Sequence, residues 1–278
     1  MTKILAIGGN SFIGQKVLLK LKKKHSYEIE ITYFSKKSSS NLFKQHYLDI
    51  FNFKKKDLKK FSNIDHLILF SWYDLNDYNS KQHNLISKRL TKLAYFFILN
   101  GVKNISVLGT CLEYGLVNGS IDEKYECLPV TKYGKAKLNL LNNLKVYKKN
   151  YNFNLNWLRI FYIYGDDRLN RGIWSLFKTA CQSRNIFKMS GGEQIRDFIS
   201  FDKLITYLSL LINLNKDLGV VNVCSGNPIK LINLINRWKR KFNPNINLMK
   251  GFYPYTSYET MSYWGNNKKL IKNLNEKK

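Results

Sequence analysis

Long apolar runs are missing from this sequence: no stretch of its 278 residues reaches the length needed to cross a bilayer. The start, MTKILAIGGNSFIG, has neither the extended apolar core nor the small-residue cleavage site of a secretory leader. These absences predict a soluble protein of the cytoplasm. Cysteine is sparse and scattered. Cys111, Cys127, Cys181 and Cys224 form no Cys-x-x-Cys pair and no Cys/His cluster, so a metal site is not expected and the thiols are predicted to be reduced and mostly buried. No repeat of solenoid period and no long Gly/Pro/Ser linker divides the chain. Acidic residues are few: 19 Asp and Glu against 46 Lys and Arg leave a formal net charge of +27. A basic surface of that kind can hold polyanions. The lysines, however, are spread along the chain and are not interleaved with aromatics as in a base-stacking platform. Drift in a Lys- and Asn-rich composition takes the larger share, and nucleic acid is not the expected partner. A basic field around a small anion fits the same charge.

What is present is core material arranged in alternation. Hydrophobic residues make up 44% and aromatics 14%, enough for one large core or two small ones. KILAIGG reads as a buried strand, and FIGQKVLLKLKKK as a helix with Ile13, Val17 and Leu21 on one face. YEIEITYF, HLILFSW, NISVLGT and LNWLRIFYIYG read as further strands, separated by helical stretches at about Ser80–Asn100 and in YGKAKLNLLNNLKVYKKN. Strand alternating with helix over the first 165 residues predicts an α/β fold, a parallel sheet wrapped by helices on both faces. Beyond that point WSLFKTACQS and IKLINLINRWKRKF read as helices and GVVNVCSG as a strand. The expected division is a sheet domain over 1–165 that also receives about 195–223, with 166–278 forming mainly a smaller interleaved lobe.

The turn IGGNSFIG ends the first strand and opens the first helix, where backbone N–H groups can meet the pyrophosphate of a dinucleotide. Gly8, Asn10, Ser11, Phe12, Ile13 and Gly14 are the candidate cofactor residues, with Ser11 where a middle glycine is usual. After the second strand a carboxylate would bind a ribose 2′-hydroxyl. TYFSKKSSS has none; Ser35, Lys36 and Lys37 suit a 2′-phosphate, which predicts NADP(H), with NAD(H) as the alternative. Asp49 and Ile50 follow the third strand, where the Asp49 carboxylate either accepts from an adenine amine or ties a turn.

TKYGKAK places Tyr133 four residues before Lys137, on one face of a helix start. Composition alone produces about two or three Tyr-x-x-x-Lys spacings in such a chain, so the spacing is not specific. The second instance, Tyr33 with Lys37, lies in the second strand, and its Lys is better placed for phosphate. A protonated Lys beside a phenol lowers the phenol's pKa and makes it a usable acid/base. Thr110 ends a strand on the same rim and can share the substrate oxygen.

Taken in order, IGGNSFIG, YLDI, GTCLEYG, PVTKYGKAK, LRIFYIYG, GGEQIRDFIS and VCSG resemble the extended short-chain dehydrogenase/reductases, in the nucleotide-sugar epimerase/dehydratase group, over nearly the whole chain. The resemblance implies a Rossmann doubly wound sheet with a smaller α/β substrate lobe. It implies that Thr110, Tyr133 and Lys137 form the catalytic triad, Tyr133 as acid/base and Lys137 as the ribose-holding residue that tunes it. It implies that Arg196 clamps the diphosphate of a nucleotide sugar beside Thr110 and Cys111; the alternative for Arg196 is a surface pair with Asp197. Homodimers are common in this family.

Departures from the family pattern narrow the chemistry. The 4,6-dehydratases carry Asp and Glu directly after the triad Thr, where this chain has Cys111 and Leu112. Glu113 comes one place late, and on a strand-like segment it would face away. All four histidines precede Tyr133, so the Cys/His carbon-acid chemistry of the epimerase-reductases has no support. The expected reaction is NADPH-dependent reduction of a nucleotide-activated 4-keto-deoxysugar for surface polysaccharide such as O-antigen lipopolysaccharide. An NAD-dependent 4-epimerase is the alternative. A non-catalytic cofactor-sensing or RNA-binding relative ranks below both, because the triad is complete.

Overall fold

The run Ile4–Ile7 is buried on both faces, which alternating burial against two helix layers requires of a central parallel strand. A computed structural model describes residues 1–24, 26–35, 42–166, 172–183 and 185–275. Its first half runs β1 (Lys3–Ile7), α1 (Phe12–Lys24), β2 (Glu28–Tyr33), β3 (Lys44–Tyr47), α2 (Lys55–Leu58), β4 (His66–Leu69), α3 (Gln82–Leu99) and β5 (Asn104–Thr110). A 3₁₀ turn (Cys111–Glu113), β6 (Gly119–Ile121), α4 (Lys132–Asn150), β7 (Asn154–Ile160) and β8 (Tyr162–Tyr164) follow. Then come α5 (Gly172–Ser183), β9 (Ile186–Lys188), β10 (Ile195–Ser200), α6 (Phe201–Ile212), β11 (Gly219–Val223) and β12 (Pro228–Lys230). The chain closes with α7 (Leu231–Phe242), β13 (Asn247–Met249), β14 (Tyr263–Gly265) and α8 (Lys268–Asn275).

The main sheet has seven strands in the order β11-β7-β5-β4-β1-β2-β3, and every pairing in it is parallel. The order reverses between β1 and β4, so the carboxyl ends of these strands open the crevice in which a doubly wound sheet binds its ligands. Alternation divides the core. Leu5, Ile7, Leu67 and Leu69 pack with α3 and α4 on one face. Ile4, Ala6, Ile31 and Val221 pack with α1 and α6 on the other. Each such side chain, fully buried, contributes about 1.5–3 kcal/mol.

Three short sheets build the rest. β8, β10 and β12 form one, β9 and β13 another, β6 and β14 a third. Trp174, Phe177, Phe187 and Trp238 make a separate aromatic core between α5, α7 and β9. The stretch 195–223 divides: β10 lies in the three-stranded sheet, while α6 packs on α1 and β11 extends the main sheet. The final helix α8 also returns to β11 and α6.

Three expected elements differ. LNWLRIFYIYG is two strands, because Phe161 N–H donates to Val223 O and the chain leaves the main sheet there. IKLINLINRWKRKF begins extended, with Ile229 and Lys230 paired to β10 before α7 starts at Leu231. The segment after Thr110 is a 3₁₀ turn rather than a strand-like stretch, and this changes the direction of Glu113.

Candidate active site

The glycine turn is dictated by contact. Gly8 has φ +72°, and a Cβ there would lie 2.1 Å from Ser71 Oγ and 3.0 Å from Ser71 Cα. At Gly9 a Cβ would lie 2.7 Å from Ile31, and at Gly14 2.9 Å from Ser11 Oγ. Gly8 N–H donates to Thr32 Oγ1 at 3.0 Å, which ties the turn to β2. Ser11 takes the middle position as a helix cap: its Oγ accepts from Gly14 N–H at 3.2 Å. Phe12 stacks on Phe201 at 4.4 Å, and Asn10 and Ile13 are half-buried beside the turn. This cradle is one that any Cβ would fill, and it opens α1 at the switch point, so its residues fit a dinucleotide pyrophosphate.

Past β2 the described residues Phe34 and Ser35 include no acid, and Ser35 is exposed. Lys36 and Lys37 lie outside the described residues. Of the two uses open to Asp49, the fold displays the turn: its Oδ1 accepts from Phe51 N–H at 2.8 Å and its Oδ2 from Asn52 at 2.9 Å. The Ile50 side chain is in the core, and its carbonyl accepts from Arg89 at 3.2 Å.

Thr110, Tyr133 and Lys137 come together. Thr131 caps α4 by accepting from Gly134 N–H at 3.1 Å, which sets Tyr133 in the first turn. The Thr110 side chain faces the Tyr133 phenol and favours its ionised form, against the larger effect of burial. Lys137 is 4% exposed; its Nζ donates to Leu108 O at 2.7 Å and lies 3.8 Å over the Trp72 ring and 5.9 Å from the Tyr133 ring. Tyr133 stacks on Tyr78 at 5.4 Å and meets Trp72 at 5.8 Å. Trp72 Nε1 donates to His83 Nδ1 at 3.1 Å while His83 Nε2 donates to Asp77 O at 2.8 Å, a pattern that requires the neutral imidazole. The expected lowering of the phenol pKa does not hold in this state. Burial pushes Tyr133 well above its ordinary value, and burial brings Lys137 down to about 7. The buried phenol is therefore held in its protonated form.

Arg196 is buried on β10 and is not paired with Asp197, whose carboxylate accepts from Ser225 and Gly226 N–H at 2.7 and 2.8 Å. The surface-pair alternative therefore fails. Arg196 donates instead to Glu259 at 3.4 Å and lies 4.7 Å over Tyr263. Tyr162 donates to Glu259, and Tyr263 OH is 3.8 Å from Cys111 Sγ, so this polar cluster runs back to the residue after Thr110. Burial pushes the Cys111 thiol up to about 12, which leaves it inert as an acid/base or nucleophile at neutral pH. Beside β10, a cavity of about 310 Å³ is lined among the described residues by Tyr164, Phe198, Ser200, Lys203, Asn227 and Arg237, among others, with no acid among them.

Sequence reasoning missed Trp72, Tyr78, His83, Tyr162, Glu259 and Tyr263. Trp72 alone had a usable signal, since it stands just past a strand's carboxyl end beside the switch point. Glu113 was misplaced. Its carboxylate folds back under Thr110, accepting Thr110 N–H at 2.8 Å, Trp157 Nε1 at 3.0 Å and Arg159 Nε at 2.7 Å.

Comparisons with known proteins agree with this geometry. At 32% identity over 273 residues, 94% of this chain and 98% of the other, the chain is similar to dTDP-6-deoxy-L-talose 4-dehydrogenase (NAD(+)) of Aggregatibacter actinomycetemcomitans. The fold matches UDP-glucuronic acid 4-epimerase from Bacillus cereus, solved with UDP-glucuronic acid and NAD, with a TM-score of 0.83 at 20% identity over 99% of this chain and 93% of that one. It also matches UDP-N-acetylglucosamine 4-epimerase from Methanobrevibacter ruminantium M1, with a TM-score of 0.83 at 18% identity over 98% and 91% of the two chains. Residues 4–224, which hold the glycine turn, Thr110, Tyr133, Lys137 and Arg196, match the model of one family, and the chain belongs to it: the NAD dependent epimerase/dehydratase family.

Proposed function

We propose that this protein interconverts the 4-keto and 4-hydroxy forms of a nucleotide-diphosphate deoxysugar and works as a ketoreductase in the synthesis of surface-polysaccharide sugars. The observation that carries the reading is the convergence of Thr110, Tyr133 and Lys137 at one strand end, in a site where no carboxylate among the described residues is free for elimination. The positions after Thr110 are Cys111 and Leu112, and Glu113 is taken up by three donors from Thr110, Trp157 and Arg159. Proton transfer to one oxygen is what remains. The 4-dehydrogenase named above is a relative whose reaction, run backwards, is a reduction of this kind.

Gly8, Asn10, Ser11, Phe12, Ile13 and Gly14 would hold the dinucleotide pyrophosphate, Ser35, Lys36, Asp49 and Ile50 its adenosine end, and Tyr133 and Lys137 its nicotinamide ribose. When bound, the dinucleotide supplies the hydride to the sugar carbon. Thr110 and Tyr133 hold the carbonyl oxygen between two hydroxyls, which fixes the reacting carbon and excludes water from it. Tyr133 gives its phenol proton to that oxygen as it becomes an alcohol, and charged Lys137 stabilises the phenolate that remains. Arg196 would exchange Glu259 for the substrate diphosphate, a better bidentate partner for a guanidinium. NADP(H) is the proposed cofactor because no acid follows β2; the relative's NAD(+) supports NAD(H) as the second reading.

The test is to denature the purified protein, identify any released dinucleotide by mass, titrate the cofactor-free form with NADPH and NADH, and then assay a panel of dTDP-, CDP- and UDP-linked 4-keto sugars. An empty protein that binds NADPH and reduces one of them is the expected result. NAD retained through purification indicates the 4-epimerase. No binding of either dinucleotide overturns the proposal.

A further inference from the structure

Glu113 takes no part in the proton transfer, yet it lies fully buried against it. Three donors converge on its carboxylate: Thr110 N–H, Trp157 Nε1 and Arg159 Nε. Its position is fixed against the end of β5. A Cβ on Gly109 would come within 2.8 Å of Glu113 Oε1, so the carboxylate packs directly on that residue. On the preceding residue, Leu108 O accepts from Lys137 Nζ at 2.7 Å. The buried anion and the buried amine therefore flank consecutive residues of one strand end. The 3₁₀ turn also touches the first turn of α4, since a Cβ on Gly134 would lie 2.5 Å from Leu112 O. The relation of Thr110 to Tyr133 thus runs through a turn that Glu113 closes.

We propose that Glu113 is a positioning residue: its carboxylate pins the Thr110 backbone so that the hydroxyl meets Tyr133, and it is the negative charge that lets Lys137 hold a proton inside the fold. The consequence for turnover rests on the oxidoreductase reading above; the effect on Lys137 does not. Burial alone drives Lys137 down, and Glu113 is the charge that opposes the fall. The groups facing Lys137 are few. From α4 there is the Tyr133 phenol, from the 3₁₀ turn Glu113, and from β7 Arg159 on the far side of that carboxylate. Trp72 and Leu108 O are uncharged, and His83 behind Trp72 is neutral. Removing the carboxylate leaves the burial of Lys137 unopposed and leaves Arg159, which that carboxylate pairs, uncompensated; both effects lower the Lys137 pKa. Removing Arg159 acts the other way, since Trp157 and Thr110 still hold the anion.

The test uses the full chain with ¹³C at the lysine ε-carbon and follows each resonance against pH, Lys137 being assigned by its loss in K137R. The wild type is expected to titrate near neutrality, E113Q lower by about one unit, and R159Q higher by about half a unit. E113D, which keeps the charge, restores the wild-type titration. Where turnover is measurable, the alkaline limb of the E113Q pH–rate profile shifts to lower pH with Lys137, whereas a merely structural defect lowers the rate at every pH without moving the limb. If E113Q does not fold, R159Q carries the same test with the opposite sign. A Lys137 titration unchanged in E113Q and R159Q overturns the proposal. Because the titration needs no substrate, a wild type inactive on every sugar refutes the proposed function and leaves this result standing.

Discussion

Replacing Gly8 by alanine tests the cradle through a cost that can be worked from contacts. The φ of +72° is in the left-handed region, where a Cβ costs about 1–2 kcal/mol. The new methyl would also start 2.1 Å from Ser71 Oγ and 3.0 Å from Ser71 N and Cα. The hydroxyl can rotate away, but the Ser71 backbone just past β4 cannot, and overpacking of this kind costs about 1–3 kcal/mol. Alanine stiffens the unfolded chain and returns about 0.4–1 kcal/mol. The net expectation for Gly8→Ala is a loss of about 1–4.5 kcal/mol in urea unfolding. Relief will come from parting β1 and β4 at the switch point, so dinucleotide affinity should fall at least about tenfold, or 1.4 kcal/mol. Adding Ser71→Ala removes the closest contact and should recover about 1 kcal/mol of stability, but not the strained φ. A Gly8→Ala protein within about 0.5 kcal/mol of wild type, with unchanged dinucleotide affinity, would refute the reasoning.

Tyr133→Phe should fold and bind dinucleotide with little change, because the lost hydroxyl is one hydrogen bond, yet turnover should drop by about 10²–10⁴; near-normal steady-state activity would remove Tyr133 from its role. Arg196→Lys should raise the KM for the nucleotide sugar by about tenfold or more with a smaller effect on kcat, since a point charge replaces the planar fork; an unchanged KM would dissociate Arg196 from the diphosphate. Lys137 has its folded pKa lowered from 10.5 to about 7, so between those values the unfolded chain binds more protons and stability rises with pH. The stability of Lys137→Met relative to wild type should therefore shrink as pH rises from about 7 to 10 in urea unfolding; a gap that does not change with pH would mean that Lys137 is not desolvated. Cys111, its thiol pushed up to about 12, should resist iodoacetamide at pH 8 in the folded protein, as followed by peptide mass after alkylation.

Local chemistry explains what was legible before any contact was known. The β1–turn–α1 unit follows from a short apolar run, glycines that alone tolerate the turn, and a serine able to cap the helix. Tyr133 and Lys137 share a face because both lie on one helix four residues apart, and Thr110 is at a strand end that periodicity locates. Parallel order followed from strands alternating with helices. The sequence by itself therefore determined the sheet class, the glycine turn and the candidate Tyr133–Lys137 pair, since each depends on dihedral preference or spacing within a few residues. Tertiary structure decided the rest. Glu113 meets Arg159 across 46 residues only because β5 and β7 pair in register, and a 3₁₀ turn, not a strand, aims the carboxylate at them. Arg196 reaches Glu259 across 63 residues through the approach of β10 to the segment before β14. The Trp72–His83 wall forms where β4 and α3 meet behind Lys137. Burial of that wall, a property of packing and not of composition, raises the pKa of Tyr133 and lowers that of Lys137.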